Sequence, residues 1–221
     1  MIELRNIKKT YKGRPVLDVP ELCIRDGESV ALAGANGSGK TTLLRILARV
    51  LRADSGTITA PDDILYLPQH PYAFRGSVLD NVLIGAKDQK ERALTLLQKL
   101  GLSALVDKQA QSLSGGELQK LALCRLLIRP CALLLLDEPT AALDIRGTDL
   151  VCEALAQYKA RTDCTVLFST HAPQFAEKAA DRLILLRDGR IDADSDTRES
   201  LSAPDANGRC ASSKPGMQTP G

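Results

Sequence analysis

A glycine-rich stretch with a lysine and two threonines is where residue types and spacing first point to chemistry. Residues 34–42 read GANGSGKTT, which fits glycine, four residues, glycine, lysine and then serine or threonine. Glycines let a backbone fold tightly, so that its N–H groups converge on phosphate oxygens. In this pattern the lysine reaches the β- and γ-phosphates and the hydroxyl that follows binds Mg²⁺. The predicted phosphate site comprises Gly34, Ala35, Asn36, Gly37, Ser38, Gly39, Lys40, Thr41 and Thr42.

The segments on either side of this stretch are those that a phosphate-binding loop requires. Residues 29–33 are mostly small and apolar, which suits a buried strand, and residues 43–51 carry apolar side chains at helical spacing. A helix that starts after the loop adds the positive end of its dipole to the site. An ordinary glycine turn is the alternative, but a lysine and a threonine in register favour phosphate binding.

Two acidic residues follow the most apolar run of the chain. Residues 131–136 read CALLLL, which predicts a strand buried on both faces, and Asp137 and Glu138 come next. Ligands of α/β sheets bind at the carboxyl ends of the strands. A carboxylate there can hold Mg²⁺ through water, and its neighbour can polarise an attacking water molecule. Two solvated turn residues are the alternative, which the upstream loop disfavours.

A second pair of glycines opens an apolar helix that is predicted over residues 118–128. Ser114 and Glu117 have the spacing of a capping box. Gly115 and Gly116 exceed what a cap needs. They leave the backbone bare at a helix N-terminus, where the phosphate of another molecule can approach. A helix start with no further role is the alternative.

Three polar residues carry little signal when each is taken alone. Gln69 follows a predicted strand at residues 64–68, His171 closely follows another at residues 165–169, and Tyr11 precedes the glycine-rich loop. A solvated glutamine, a structural histidine and a packed tyrosine are the ordinary interpretations. The position of Tyr11 ahead of the loop favours stacking on a nucleotide base, and His171 adds a polar group to the same sheet edge.

Composition restricts the class of protein. The 221 residues suffice for one or two domains, and 44% hydrophobic and 25% charged residues are typical of soluble globular proteins. A net charge of +2 is too small to indicate nucleic-acid binding. We find no apolar run near the roughly 20 residues of a spanning helix, and no signal peptide. The six cysteines form no Cys-x-x-Cys pair. We therefore expect a soluble protein of a reducing, intracellular compartment.

The remaining segments add two parts to the predicted α/β core. Residues 1–26 have the short alternating apolar runs of a β-rich segment, and residues 70–113 are polar and helical. Residues 183–186 are predicted to be the last central strand. Residues 192–221 contain few apolar side chains, which predicts a disordered tail.

Taken together, these motifs resemble the ATP-binding cassette of ABC transporters, in that family's order over about residues 1–191. A Walker A motif alone marks only a P-loop nucleoside triphosphatase, whereas LSGGE shortly before Walker B is far more specific. Ala35, Leu118, Lys120 and Ala172 depart from the commonest residues of the family. The matching positions are Tyr11 (adenine stacking), 34–42 (Walker A), Gln69 (Q-loop), 113–117 (signature), 133–138 (Walker B), 142–144 (D-loop, with Asp144) and His171 (switch).

The resemblance implies an α/β fold with a P-loop NTPase (RecA-like) core, an N-terminal antiparallel β subdomain and a helical insert at about 70–113. It implies an ATPase that uses ATP and Mg²⁺. Glu138 would be the general base or would position the water, and Gln69 would bind Mg²⁺ and sense the γ-phosphate. His171 would hydrogen-bond the γ-phosphate, and Asp137 would bind Mg²⁺ together with Thr41.

The resemblance also implies partners. Two cassettes would pair head to tail, so that one subunit's P-loop and the other's Ser114, Gly115 and Gly116 enclose each ATP, while Asp144 couples the two sites. A membrane permease would dock near residues 70–81 and hold the protein at the cytoplasmic face. A substrate-binding protein would be an optional further partner, and nucleic acid is not expected. A free-standing cassette favours an importer, and compact length suggests a tungstate-type anion system. The alternatives are an exporter subunit, an ATPase of ribosomes or DNA, and a regulatory protein without turnover.

Overall fold

The computed structural model describes residues 1–197, which form two β-sheets and six α-helices. Two 3₁₀ turns, Ser103–Leu105 and Ala110–Ser112, join α3 to α4. The strands are β1 (Ile2–Tyr11), β2 (Arg14–Ile24), β3 (Ser29–Ala33), β4 (Ser55–Thr59), β5 (Ile64–Leu67), β6 (Leu133–Asp137), β7 (Thr165–Ser169), β8 (Arg182–Arg187) and β9 (Arg190–Asp196). The helices are α1 (Lys40–Leu47), α2 (Val78–Val82), α3 (Lys90–Lys99), α4 (Gly115–Leu127), α5 (Ile145–Lys159) and α6 (Pro173–Ala179).

The larger sheet has the strand order β5-β6-β7-β3-β8-β9. Every neighbouring pair is parallel except β8 and β9, which are antiparallel. Strands that are adjacent and parallel present their carboxyl ends at one edge of a sheet. The order therefore brings the residues that follow β3, β6 and β7 to that edge, side by side.

The apolar run of β6 is buried on both faces, as the sequence predicts. Leu133 and Leu135 belong to a core that includes α1 and the N-terminal strands, whereas Leu134 and Leu136 face the core formed by α4, α5 and the helical insert. Successive side chains of a strand point to opposite faces, so a strand between two layers must be apolar throughout. All four leucines are fully buried.

Two smaller parts flank this sheet, and the predicted fold class is confirmed. The antiparallel sheet β2-β1-β4 is the N-terminal β subdomain. Helices α2 and α3 lie in the chain between β5 and α4, within the segment predicted as the helical insert. Its α3 ends at Lys99, because Gly101 adopts a left-handed φ of 70° and the N–H of Leu102 donates to the carbonyl of Leu97. No helix within residues 1–197 is long and apolar enough to cross a bilayer.

The C-terminal boundary differs from the sequence prediction. A domain end at residue 191 would cut β9, which continues to Asp196 as an edge strand beside β8. Arg182 explains why this polar stretch is ordered, because its Nε and Nη2 each donate to the Asp194 carboxylate at 2.6 Å. Residues 198–221 of the predicted tail lie outside the described residues.

Candidate nucleotide-binding site

The loop between β3 and α1 has backbone conformations that only glycine adopts readily. Gly34 has a φ of 140°, and a Cβ there would lie 2.2 Å from the carbonyl oxygen of Leu186. Gly39, the N-cap of α1, has a φ of 106°, and a Cβ there would lie 3.0 Å from the Val16 carbonyl. A substitution at either glycine would displace the loop from the end of β3.

Two buried polar side chains, Lys40 and Ser38, belong to this loop. The Nζ of Lys40 donates to the carbonyls of Gly34 and Ala35, at 2.8 and 3.0 Å. Burial lowers the pKa of Lys40, while Glu138 and Asp137 act in the opposite direction. The hydroxyl of Ser38 is buried without a hydrogen-bond partner. Buried polar groups normally have hydrogen-bond partners, so the unpaired hydroxyl of Ser38 indicates a missing ligand. Together with the nearby ammonium group of Lys40, it fits a binding site for phosphate.

Asp137 ends β6 and receives hydroxyl groups from three elements. Thr41 Oγ1 lies 3.0 Å from Asp137 Oδ1, Ser169 Oγ lies 2.7 Å from the same oxygen, and Tyr66 Oη lies 3.4 Å from Oδ2. Burial and the Asp137 charge raise the pKa of Tyr66, which keeps its hydroxyl protonated as a donor. Carboxylate and hydroxyl oxygens are the ligands that Mg²⁺ prefers, so Thr41 and Asp137 fit that ion.

Glu138 leaves the strand in a strained conformation. Its φ of 53° is left-handed, which costs a residue with a side chain about 1–3 kcal/mol. Its N–H donates to Ser169 Oγ at 2.9 Å, and its carbonyl accepts from Gln119 Nε2 at 3.3 Å. These two hydrogen bonds hold the glutamate backbone between β7 and α4.

The Glu138 carboxylate faces the switch histidine. His171 Nε2 lies 3.0 Å from Glu138 Oε1, an ion-pair distance, although that oxygen has no partner with hydrogen-bond geometry in the described chain. Burial raises the pKa of Glu138, and the charges of His171 and Lys40 partly offset that effect. A carboxylate whose pKa is raised accepts a proton more readily than an exposed one. The arrangement can therefore activate a water molecule next to a bound phosphate.

Two of the remaining sequence-predicted residues border this site without contacting it. Gln69 is exposed just after β5, the strand that neighbours β6. Tyr11 is 44% exposed at the end of the β1–β2 hairpin, with Lys9 Nζ 5.6 Å from the centre of its ring. Val16 of the same hairpin packs against Gly39, so Tyr11 lies on the loop's side of the molecule.

The signature residues lie apart from the phosphate loop of the same chain. Ser114 and Glu117 form the predicted capping box of α4, and Ser114 and Gly115 are exposed. Gly116 instead packs beside the D-loop, since a Cβ there would lie 2.8 Å from the Ala142 carbonyl. Within residues 1–197, no hydrogen bond or ion pair joins residues 114–116 to the phosphate loop.

Asp144 has a local structural role that the sequence analysis did not predict. It is the N-cap of α5, where its Oδ1 accepts from the Gly147 N–H at 2.6 Å. Three other residues of the site were missed entirely: Ser169, Tyr66 and Gln119. Ser169 could have been found from strand pairing alone, because it is the register partner of Asp137 in the parallel pair of β6 and β7.

A glycine-rich phosphate loop after β3, beside an aspartate and a glutamate at the carboxyl end of β6, defines the class of protein: a P-loop nucleoside triphosphatase. The chain belongs to the ABC transporter family, whose model matches residues 17–141. It is an ATP-binding cassette with ATPase activity.

Relatives of known name support this assignment. The chain is 41% identical to the aliphatic sulfonates import ATP-binding protein SsuB 3 of Nocardia farcinica, over 86% of this chain and 78% of that protein. It is 32% identical to the phosphonates import ATP-binding protein PhnC 1 of a Nostoc species, over 90% of this chain and 88% of that protein. The relatives are thus import subunits, in agreement with the importer-type cassette that the sequence predicts.

Solved structures agree on the fold. The ATP-binding cassette MJ0796, in a dimeric post-hydrolysis state bound to ADP and Pi, superposes with a TM-score of 0.81 at 27% identity, covering 90% of this chain and 99% of that one. The cbiO1 protein of Clostridium perfringens, part of the ABC transporter complex cbiONQ, superposes with a TM-score of 0.79 at 25% identity, covering 91% and 90%.

Proposed function

We propose that this chain powers the import of a small solute bearing an oxyanionic group, by hydrolysing ATP against a separate membrane permease. The convergence of Lys40, Asp137, Glu138 and His171 at one sheet edge carries the hydrolytic part of the proposal. The solute class rests on relatives named for sulfonates and phosphonates. Tungstate has no such support, and a relative named for spermidine and putrescine is 33% identical.

The roles of the site residues follow from their positions. Lys40 binds the β- and γ-phosphates, and Tyr11 stacks on the adenine. Thr41 and Asp137 hold Mg²⁺, with Gln69 as a further ligand. When bound there, the ion would supply positive charge next to the phosphates. Glu138 accepts a proton from the attacking water, and His171, 3.0 Å away, orients its carboxylate and reaches the γ-phosphate.

A head-to-tail dimer explains why the signature glycines are exposed. The N-terminus of α4, where Ser114 and Gly115 are exposed, presents a positive dipole end to solvent. Within residues 1–197, no hydrogen bond or ion pair joins it to its own phosphate loop. In the proposed dimer, this helix N-terminus faces the γ-phosphate of the ATP that the second cassette binds. The dimeric state of the cassette MJ0796 supports this arrangement.

Gly115 allows the dimer to be tested. Its position is helical, and a Cβ there would meet only Ala142 Cβ at 4.0 Å, so a side chain fits the monomer. We expect Gly115→Asp to bind ATP as a monomer with near-normal affinity and to lose ATP hydrolysis by tenfold or more, because its carboxylate faces a γ-phosphate in a poorly solvated interface. Gly115→Asn, of the same size without the charge, should lose less.

Mixing two inactive chains then tests whether the signature residues serve the ATP of the partner subunit or that of their own chain. A heterodimer of Gly115→Asp with Lys40→Ala contains one composite site with both defects and one with neither. Some hydrolysis should return, and ATP-dependent heterodimers should appear in gel filtration even where the two sites are obligately coupled. Loss of ATP binding by the Gly115→Asp monomer would contradict the proposal, because it would place the signature in the pocket of its own chain.

An apolar surface on the helical insert is the proposed permease contact. Tyr72, Phe74 and Ile84 are 60%, 39% and 47% exposed. The rings of Tyr72 and Phe74 meet edge to face, 4.9 Å apart. Neighbouring exposed apolar side chains, such as Tyr72 and Phe74, mark interaction sites, and Ile84 is exposed in the same insert just after α2. The location agrees with the predicted docking segment at residues 70–81 and extends it to Ile84.

We expect the double variant Tyr72→Ser, Ile84→Ser to lose co-purification with its permease by at least tenfold. Aromatic anchors dominate the energy of protein interfaces, so their removal should dissociate the complex. Val50→Ser is the control, since Val50 is 66% exposed outside this surface. Unchanged co-purification by the double variant would exclude this surface.

The same pull-down also tests the alternatives. Recovery of a multi-span permease supports a transporter, and recovery of ribosomes would support the non-transport alternative. Import is distinguished from export with the reconstituted complex, by asking whether ATP turnover responds to solute presented outside the vesicle. A sulfonate or phosphonate that stimulates turnover would support the proposed solute class. In the transport assignment, the protein is held at the cytoplasmic face of the membrane by its permease.

A further inference from the structure

Ser169 has an unusual position between the two acidic residues of the site. It is the last residue of β7, it is fully buried, and its register partner in β6 is Asp137. Its hydroxyl lies 2.7 Å from Asp137 Oδ1 and 2.9 Å from the Glu138 backbone nitrogen. One hydroxyl thus contacts both the aspartate assigned to Mg²⁺ and the backbone of the glutamate assigned to water activation.

The direction of both hydrogen bonds follows from the chemistry of the groups. A backbone N–H can only donate, so Ser169 Oγ must accept from Glu138. The single hydroxyl proton is then free to point at the Asp137 carboxylate, which can only accept when ionised. A side chain without a hydroxyl would leave the buried N–H of Glu138 without a partner, and such groups are rare in native proteins.

The hydrogen bond to Glu138 matters because that residue is strained. A left-handed φ of 53° in a residue with a side chain persists only where neighbouring groups impose it. Ser169 fixes the N–H of Glu138, and Gln119 fixes its carbonyl oxygen. With both ends of the residue held, the carboxylate reaches His171 at 3.0 Å.

We propose that Ser169 is a positioning residue for ATP hydrolysis: it holds the Glu138 backbone in its left-handed conformation and links that conformation to Asp137. The inference rests on the catalytic role proposed for Glu138. Thr41, Asp137, Ser169 and Glu138 form a continuous chain of contacts across the ends of α1, β6 and β7. The side chain of Ser169 is buried and its hydrogen-bond partners are Asp137 and Glu138, so its removal should change the rate of hydrolysis more than it changes ATP binding.

The first test compares Ser169→Ala with two related variants of the full chain. Thr165→Val is the matched control, because Thr165 is buried at the other end of β7 and its hydroxyl accepts from the Gly27 N–H at 3.0 Å. We expect Ser169→Ala to lower kcat between tenfold and 100-fold, since misplacing a reacting group by about 1 Å can cost 100-fold. Its Kd for MgATP should stay within about threefold of the parent. Ser169→Thr, which retains a hydroxyl, should recover most of kcat.

The control separates positioning from general stability. Thr165→Val also loses a buried hydroxyl and should lower the Tm by a similar amount, but it should leave kcat unchanged. Equal kcat in Ser169→Ala and in the parent overturns the proposal. A fall in kcat of the same size in Thr165→Val also overturns it, because the effect would then be structural.

A second measurement does not depend on turnover. The sequence has two histidines, so the ring signals of His171 can be assigned by NMR with a His70→Gln variant. In Ser169→Ala we expect these signals to move toward their positions in Glu138→Ala, because in both variants the glutamate carboxylate no longer lies beside the histidine. Thr165→Val should leave them in place. Unmoved His171 signals in Ser169→Ala overturn the proposal even where the isolated cassette turns over slowly.

The outcomes also distinguish this inference from the function on which it rests. Absence of MgATP binding by the parent would refute the proposed function. A parent that binds and hydrolyses ATP, together with a Ser169→Ala variant of equal kcat, would refute only the role of Ser169.

Discussion

Glu138→Gln should still bind MgATP but hydrolyse it about 100-fold or more slowly than the parent, which is the usual range for loss of a general base. Glutamine keeps the size of the side chain and can still pair with His171, but it cannot accept a proton from water. Binding groups such as Lys40 and Thr41 remain in place. This variant should therefore keep its affinity for ATP while its rate of hydrolysis falls.

Two measurements check this expectation. Gel filtration with MgATP should show Glu138→Gln at twice the monomer mass, because unhydrolysed ATP holds the two cassettes together. Glu153→Gln is the control, since Glu153 is exposed on α5 outside the site. Turnover by Glu138→Gln near that of the parent would show that another group activates the water.

The acid side of the pH profile gives an independent signature of Glu138. The glutamate acts as a base only when it is ionised, so turnover falls as pH drops through its pKa. Burial raises that pKa, so the fall should begin at a higher pH than an exposed glutamate would give. The residual turnover of Glu138→Gln should not show this fall at acid pH.

Lys40→Ala should lower the affinity for ATP by about 10-fold to 100-fold. A hydrogen bond to a charged group contributes about 1.5–3 kcal/mol, and Lys40 is buried where solvent cannot replace it. Calorimetry with MgATP measures the change. Lys90→Ala is the control, because Lys90 is an exposed lysine at the start of α3.

Lys40 also binds two carbonyls of its own loop, which calls for a second variant. Lys40→Met removes the charge and keeps most of the side-chain length. A similar loss of affinity in both variants identifies the charge as the cause, whereas a loss restricted to Lys40→Ala would indicate packing. Affinity within twofold of the parent in Lys40→Ala would refute the phosphate assignment of the loop.

The parts of the fold that follow from local pattern were predictable from sequence. Residues 29–33 and 165–169 are strands with the bounds that were predicted, because each is a short apolar run between turn residues. The capping box of Ser114 and Glu117 is also present, since it depends on residues only three positions apart. Sequence order alone then placed Asp137 and His171 at one sheet edge.

What the sequence did not reveal depends on contacts between distant segments. From its sequence, strand β9 has the polar composition of a tail, and only the structure shows that Arg182 donates to Asp194 in that strand. The left-handed Glu138 donates its N–H to Ser169, which is 31 residues away along the chain, and no property of a glutamate predicts that conformation. The sequence indicated only the motif to which Asp144 belongs. Its role as N-cap of α5 depends on the backbone N–H of Gly147 and became visible only in the structure.

Arg125 has a consequence for how the two nucleotides of a dimer are controlled. It belongs to α4, its Nη2 donates to the Tyr72 carbonyl at 3.0 Å, and its guanidinium carbon lies 5.0 Å from the centre of the Phe74 ring. Gly115 starts the same helix ten residues earlier, about 15 Å along its axis. In the proposed dimer, that end of the helix faces the ATP of the other subunit. In such a complex, the permease subunit that contacts one cassette would be connected through α4 to the ATP bound by the other cassette. A permease with two different subunits would therefore affect the hydrolysis of the two ATP molecules differently.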